Sequence, residues 1–388
     1  MTARLAIATA GSASLGLGHC LRGATIARAA SALADVALFV RGDAAALRAA
    51  ARELGRTRIA VHGVAERAPQ WEQSGALDAD ALVVDDPGDV APLVDAAIAR
   101  GLGCVVLDRL DLAARAHATV VPSPLAFAPD VGVDPARVRS GAAWCVVEPR
   151  ERGLDAPPWP GARDSVLVAF GGADPEACTE PVARALAARA GLAERGLRVE
   201  AIVGPASALA ARMRDASPAR GEQGGVHWLV APSRAGVYAA MQRARVAVCA
   251  FGTGLYELAA LGTPALVATR GARDAAIARS LATLGIGRPI GDAAALDAAA
   301  VAREVECALD AEWARAAAAR GAAALGDGRG ARRIAELAFA HAGRPVPARA
   351  PSRAEAAHAL ASGGAPPRPV ASPDSVAPRA RRASEGRP

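Results

Sequence analysis

Three glycine-bearing segments carry side chains whose types and spacing suit chemistry on a phosphorylated ligand. The first is Gly16-Leu-Gly-His-Cys-Leu-Arg22. If Gly16 and Gly18 form a turn ahead of a helix, backbone N–H groups and the positive helix end face an anion. His19 then falls in the first turn, with Arg22 three residues on and on the same face. Such a pair suits activation of a water and stabilisation of a departing diphosphate. A glycine turn closed by a polar cap would leave the same trace. The third glycine and downstream acid of a dinucleotide fingerprint are missing.

The second segment is Phe170-Gly-Gly-Ala-Asp-Pro175. Gly171 and Gly172 leave room for a ligand or for an opposing domain. Asp174 before Pro175 reads as the start of a helix rather than as a catalytic acid. The third segment, Phe251-Gly-Thr-Gly-Leu-Tyr-Glu257, is the sharpest. Gly252 and Gly254 free the backbone where a helix begins near Thr253, whose hydroxyl and neighbouring amides can hold phosphate oxygens. Glu257 lies four residues on, where it can accept hydrogen bonds from a ribose diol, although most helical glutamates are merely solvated. Arg273 follows this site in sequence and is a further candidate for the diphosphate. Asp85 and Asp86 are second candidates for catalysis, since acids at the C-terminal end of a parallel strand face a cleft.

These side chains need strands to carry them, and the pattern supplies strands. Short apolar runs (5–10, 36–40, 58–61, 81–85, 104–107, 119–121) alternate with alanine-rich helical stretches at 21–33, 44–54 and 90–100. A proline-rich interruption at 151–163 reads as a linker. The rhythm then restarts, with strands at 165–170, 198–203, 226–229, 246–250 and 265–268 and helices at 175–190, 207–215, 234–243 and 255–261. The expected organisation is α/β: two doubly wound, Rossmann-like domains, 1–150 and 164–342, facing each other across a cleft. Residues 343–388 are rich in proline, alanine and arginine without periodicity, and read as a disordered tail.

Composition narrows the function classes. The tail holds eight arginines against three acids, which is +5 of the chain's net +6, so the body is nearly neutral. With 3% aromatic residues as well, nucleic acid is not an expected partner. No apolar stretch approaches the ~20 residues of a membrane helix, so integral membrane association is not expected; the basic tail could make peripheral contact with anionic lipid. Six scattered cysteines with no C-x-x-C pair suit a reducing, cytoplasmic setting. Cys104 and Cys249 lie in apolar runs and read as buried thiols. His62 and His117 sit at strand ends with no partner at ligand spacing, His227 reads as a core histidine, and His341 and His358 lie at or beyond the folded boundary. No metal site follows.

Taken in order, Gly16–Arg22, the strand ending at Asp85–Asp86, Asp108, Phe170–Pro175 and Phe251–Pro264 resemble the GT-B superfamily. Within it the sequence is most similar to the UDP-sugar hydrolases of the pseudaminic-acid pathway and the spore-coat polysaccharide proteins (PseG and SpsG). The last block also resembles the donor half of the MurG glycosyltransferase. The resemblance implies the GT-B fold, a nucleotide-diphosphate sugar as ligand, mainly in the second domain, and no cofactor or obligatory metal. In the hydrolases the residue matching His19 is the proposed catalytic group, helping water to break the anomeric C1–O bond and release UDP. Glu257 matches the ribose-binding glutamate and Gly252–Gly254 the diphosphate turn. The sequence departs from the hydrolases around the sugar: Ala8–Gly11 is uncharged, Asp86-Pro87 replaces a His-Tyr pair, and Ala272-Arg273-Asp274 replaces an amide-bearing segment. Hydrolysis is the leading expectation, with glycosyl transfer to a surface-polysaccharide or lipid-linked acceptor as the alternative and non-catalytic binding as a third reading.

Overall fold

The computed structural model describes residues 2–12, 14–55, 57–66, 71–126, 133–159, 162–215 and 222–344. Of the tail expected from 343 onward, all but Gly343 and Arg344 lies outside the described residues. The first half runs β1 (Arg4–Gly11), α1 (Gly18–Ala30), β2 (Asp35–Gly42), α2 (Ala44–Leu54), β3 (Ala60–Val64), β4 (Ala81–Asp85), α3 (Ala91–Ala99), β5 (Gly103–Leu107), β6 (Ala118–Val120) and β7 (Val138–Arg139). A single-turn helix, α4 (Glu148–Glu151), leads out of it. The second half runs β8 (Ser165–Ala169), α5 (Thr179–Ala187), α6 (Ala190–Glu194), β9 (Arg198–Val203), α7 (Ala208–Asp215), β10 (Glu222–Gln223), β11 (Val226–Val230), α8 (Arg234–Arg243), β12 (Ala244–Ala250), α9 (Thr253–Ala260), β13 (Ala265–Thr269), α10 (Gly271–Thr283) and β14 (Arg288–Asp292). Three helices follow: α11 (Ala298–Ala308), α12 (Glu312–Ala324) and α13 (Gly330–His341).

The strands form two sheets in the orders β3-β2-β1-β4-β5-β6-β7 and β10-β11-β9-β8-β12-β13-β14. All their pairings are parallel except β10 with β11. Central strands of parallel sheets are covered on both faces, which is why β4 and β5 are buried at every position. The chain reverses its direction of winding between β1 and β4 in the first sheet and between β8 and β12 in the second. Adjacent loops diverge at such a switch point and leave a crevice beyond the strand C-termini. The loop after β1 carries Gly16 and leads into His19 in the first turn of α1, and β4 ends on Asp85; the loop after β8 carries Gly171–Gly172 and that after β12 carries Gly252.

The last helix crosses back. Ile334, Ala335, Ala338 and Phe339 of α13 are buried in the core of the first sheet, beside residues of α1 and β5. Thus the half expected to run to 342 gives its final helix to the other one. Gly103 permits the approach: a Cβ there would stand 1.9 Å from the Ala338 carbonyl oxygen. At the end of α13, His341 stacks on His117 with ring centroids 5.1 Å apart, so His117 has a partner that its sequence neighbours do not reveal. His227, expected in the core, is half-buried on β11. Cys104 and Cys249 are buried.

Two local expectations shift. The third strand starts at Ala60 rather than 58. The helix expected at 175 starts at Thr179 and ends at Ala187. Asp174 sits at φ +45°, outside helical geometry, and its carboxylate accepts N–H bonds from Cys178 (3.0 Å) and Thr179 (2.9 Å). Asp174 does cap a helix, but from five residues before it begins.

Replacing Gly103 by alanine should separate α13 from the first sheet at a cost of about 2 kcal/mol, read as a lower denaturant midpoint at unchanged slope. An unchanged midpoint would show that the α13 contact is not tight.

Candidate functional site

The two crevices open on one cavity of about 1010 Å³ lined by both halves. On the first side, the turn after β1 is closed by reciprocal backbone bonds between Ser12 and Gly16 (3.2 and 2.8 Å), with Gly16 at φ +86°. The turn delivers the chain to α1, whose first turn aims His19 at the cavity. His19 Nδ1 lies 2.7 Å from Asp85 Oδ1. Arg22 grips the same carboxylate at both oxygens, Nε to Oδ2 at 2.7 Å and Nη2 to Oδ1 at 2.6 Å, and reaches Asp108 Oδ2 at 2.8 Å.

Asp85 is fully buried. Burial alone would raise its pKa; the charges of Arg22 and His19 and their hydrogen bonds outweigh it and hold the carboxyl well below the usual range. An ionised Asp85 can only accept, so His19 turns a protonated Nδ1 toward it and leaves Nε2 on the side of the cavity. Asp108 takes φ +57°, uncommon outside glycine but tolerated by aspartate. Its neighbours fix this bend: the Asp108 N–H bonds to the Val120 carbonyl, and Arg109 bonds to the Asp86 and Gly88 carbonyls. The Asp108 carboxylate is left at the cavity wall, 41% exposed.

Asp86 goes elsewhere. It is buried against Arg41 (2.7 and 2.6 Å) and the Gly88 N–H (2.7 Å), and it is not among the residues lining the cavity. Adjacent side chains at the end of a strand point to opposite faces, so only one of the two acids reaches His19. Asp85 also lies beneath His19 and Arg22 rather than in the cavity wall.

On the second side, Gly171 (φ +90°) and Gly172 form one wall. Gly172 faces the opposing half: a Cβ there would stand 2.9 Å from Leu17 Cδ1 and 3.0 Å from its Cγ. Gly252, Thr253 and Gly254 open α9, and Gly18 faces Thr253 across the cleft, its ideal Cβ position 3.9 Å from the Thr253 hydroxyl. Arg273 is exposed on the rim.

Glu257 is not a solvated glutamate. It is 6% exposed and paired with Arg234 and, at 3.4 Å, with the Tyr238 hydroxyl. Arg234 also reaches Glu148 Oε2 (3.1 Å) and Glu53 Oε2 (3.5 Å). Tyr238 donates to Glu148 (2.8 Å), which receives Arg28 (2.7 Å) and Arg152 on its other oxygen. Glu53 also accepts from Arg28, at 2.5 Å. Three arginines and three glutamates from α1, α2, α4, α8 and α9 thus balance one another between the halves. Burial pushes the Glu257 carboxyl up, opposed by the Arg234 charge and its hydrogen bond. Among the described residues no three His, Cys, Asp or Glu side chains converge as a metal cage requires.

Sequence spacing singles out His19, Arg22, Glu257 and the glycine turns, all of which line the cavity. It missed Arg234, Tyr238, Glu148 and Glu53, whose partners lie far away in the chain. Asp108 was legible as an acid just past a strand end, the signal that singled out Asp85.

Two facing Rossmann-like domains, each presenting a switch-point crevice to a shared cavity, define the GT-B fold. Three similar structures share it over nearly the whole described chain. The glycotransferase of kitacinnamycin is 17% identical, with 87% of this chain and 99% of that one covered, at a TM-score of 0.53. MurG of Acinetobacter baumannii is 13% identical, covering 88% and 100%, at 0.56. S. aureus MnaA in complex with UDP is 13% identical, covering 88% and 99%, at 0.58. No family model matches the chain. No curated protein matches it significantly in sequence either. Among the described residues no helix is long and apolar enough to cross a membrane.

Arg234→Met should cost about 3 kcal/mol at pH 7, because it strands buried carboxylates without a counter-charge. Without Arg234, burial raises the folded-state pKa of Glu257 unopposed, so the penalty is full above that pKa and fades as pH falls toward the unfolded value. Denaturant unfolding should therefore show the deficit shrinking between pH 7 and pH 4.5. A deficit independent of pH would contradict the assignment.

Proposed function

We propose that this protein is a GT-B glycosyltransferase that moves a sugar from a nucleoside diphosphate to an acceptor hydroxyl. The observation that carries the reading is the Asp85–His19 dyad, set across one cavity from the glycine-flanked N-terminus of α9. In the proposed reaction the acceptor hydroxyl gives its proton to His19 Nε2 while its oxygen attacks the anomeric carbon. The bond from that carbon to the diphosphate oxygen breaks, and its electron pair leaves with the diphosphate. Backbone N–H groups at Thr253 and Gly254 and the positive end of α9 meet the departing charge. Asp85 holds the imidazole in the useful tautomer and stabilises it once protonated.

Glu257, already aligned by Arg234, takes the ribose hydroxyls. Gly171 and Gly172 let the diphosphate come close to the backbone, and Arg273 closes over it from the rim. Arg22 acts one step back, fixing Asp85 and Asp108. The likeness to the kitacinnamycin glycotransferase and to MurG supports transfer, and the UDP bound to MnaA supports a nucleoside diphosphate at this cleft.

The hydrolysis suggested by the motifs of Gly16–Arg22 and Phe170–Pro175 needs the same dyad, with water in place of the acceptor. One observation favours transfer: a cavity of about 1010 Å³ sits at the top of the roughly 300–1,000 Å³ usual for ligand sites and leaves room beside a nucleotide sugar.

With a panel of UDP- and dTDP-sugars, release of the nucleoside diphosphate should depend on an added acceptor. It should fall by about 10³-fold or more in His19→Ala and by ~10²–10⁴-fold in Asp85→Asn, both folded. Prompt release without any acceptor, still lost in His19→Ala, would establish the hydrolase instead. Release unaffected by either change would remove the dyad from the chemistry.

A further inference from the structure

The first half of the cavity says what kind of acceptor it takes. On the transferase reading, this is the wall that the acceptor meets. Its surface is built from Leu15, Leu17, Leu21, Leu110, Val121 and Leu125. Leu15, at the tip of the turn after β1, is the one large hydrophobic side chain that stands exposed among the described residues.

The polar groups on this wall are nearly all engaged. Arg22 is shared between Asp85 and Asp108. Glu53 is held by Arg28 and Arg152, and Arg152 by Glu148 as well. The Ser14 hydroxyl pairs with that of Ser12 at 3.0 Å. Ser123 accepts the Leu125 N–H at 3.3 Å and stands beside the Tyr256 hydroxyl. Arg52 is exposed at the rim. Below the rim, what chiefly remains for a ligand is His19 Nε2, which has no hydrogen-bond partner among the described residues, and the second oxygen of Asp108.

We infer that the acceptor is a largely apolar molecule carrying one or two hydroxyls, seated on this leucine-lined wall, and not a sugar. One hydroxyl faces His19 and a second can donate to Asp108. A monosaccharide would turn several further hydroxyls onto leucine and valine. Each would lose its water without gaining a partner, lowering affinity by roughly tenfold or more. An aromatic or alicyclic alcohol loses nothing by the same burial and gains from each apolar contact.

The probe is 2-naphthol, followed by its own fluorescence, with and without UDP, beside methyl glucoside and N-acetylglucosamine as competitors. Saturable naphthol binding is expected, weakened about tenfold in Leu110→Gln, with UDP affinity unchanged by calorimetry. Leu21→Gln provides the same arm should Leu110→Gln fail to fold. With a donor sugar present, the naphthyl glycoside should form and the sugars should not be glycosylated. Failure of naphthol to bind the wild type, or displacement of naphthol by either sugar, would overturn the inference. If naphthol binds and UDP does not, the apolar site stands and the transferase reading falls.

Discussion

One guanidinium fixes the geometry on which the rest of the cleft depends. Arg234 lies between Glu257 on α9, Glu148 on α4 and Glu53 on α2, so it touches the second half, the connecting segment and the first half at once. Three buried carboxylates cannot sit near one another without counter-charges, and Arg234, Arg28 and Arg152 supply them. Such a network contributes little net stability, because desolvating the charges offsets their attraction. Its consequence is positional: few arrangements of the halves satisfy every group, and those few put α9 opposite α1.

The same logic recurs at smaller scale around Asp85. A fully buried carboxylate is tolerable only if its lone pairs are filled, and Arg22 and His19 fill them. Filling them orients both side chains: His19 presents Nε2 and Arg22 is drawn down to Asp108. The placing of His19 and Arg22 is thus a by-product of satisfying one buried charge at the end of β4. Both networks meet at the cavity, so His19 is held from behind by Asp85 and Glu257 by Arg234.

Much of the architecture was legible because it rests on short-range pattern. Apolar runs set the strands, glycines marked the turns that follow β1, β8 and β12, and the three-residue spacing of His19 and Arg22 put them on one face. Pairings across the fold were not legible. Arg28 meets Glu148 across 120 residues and Arg234 meets the same glutamate across 86, distances over which sequence pattern is silent. The apolar stripe of α13 requires a partner surface without naming it, so its return to the first sheet is not encoded in local pattern. Asp86 was a different kind of miss: the two-residue period of a strand already separates it from Asp85. Which polar groups are left unpaired at the cavity wall emerges only once every partner is known.

The most direct test of a nucleoside diphosphate bound at the α9 N-terminus is a calorimetric titration with UDP and dTDP, comparing wild type with Thr253→Asp. Aspartate suits a helix N-terminus, so the variant should fold, while its charge opposes a phosphate at that position. One of the two nucleotides should bind one per chain, at least tenfold more weakly in Thr253→Asp, and the matching nucleoside should bind far less well than its diphosphate. No heat with either diphosphate, or equal affinity in the two proteins, would contradict the account.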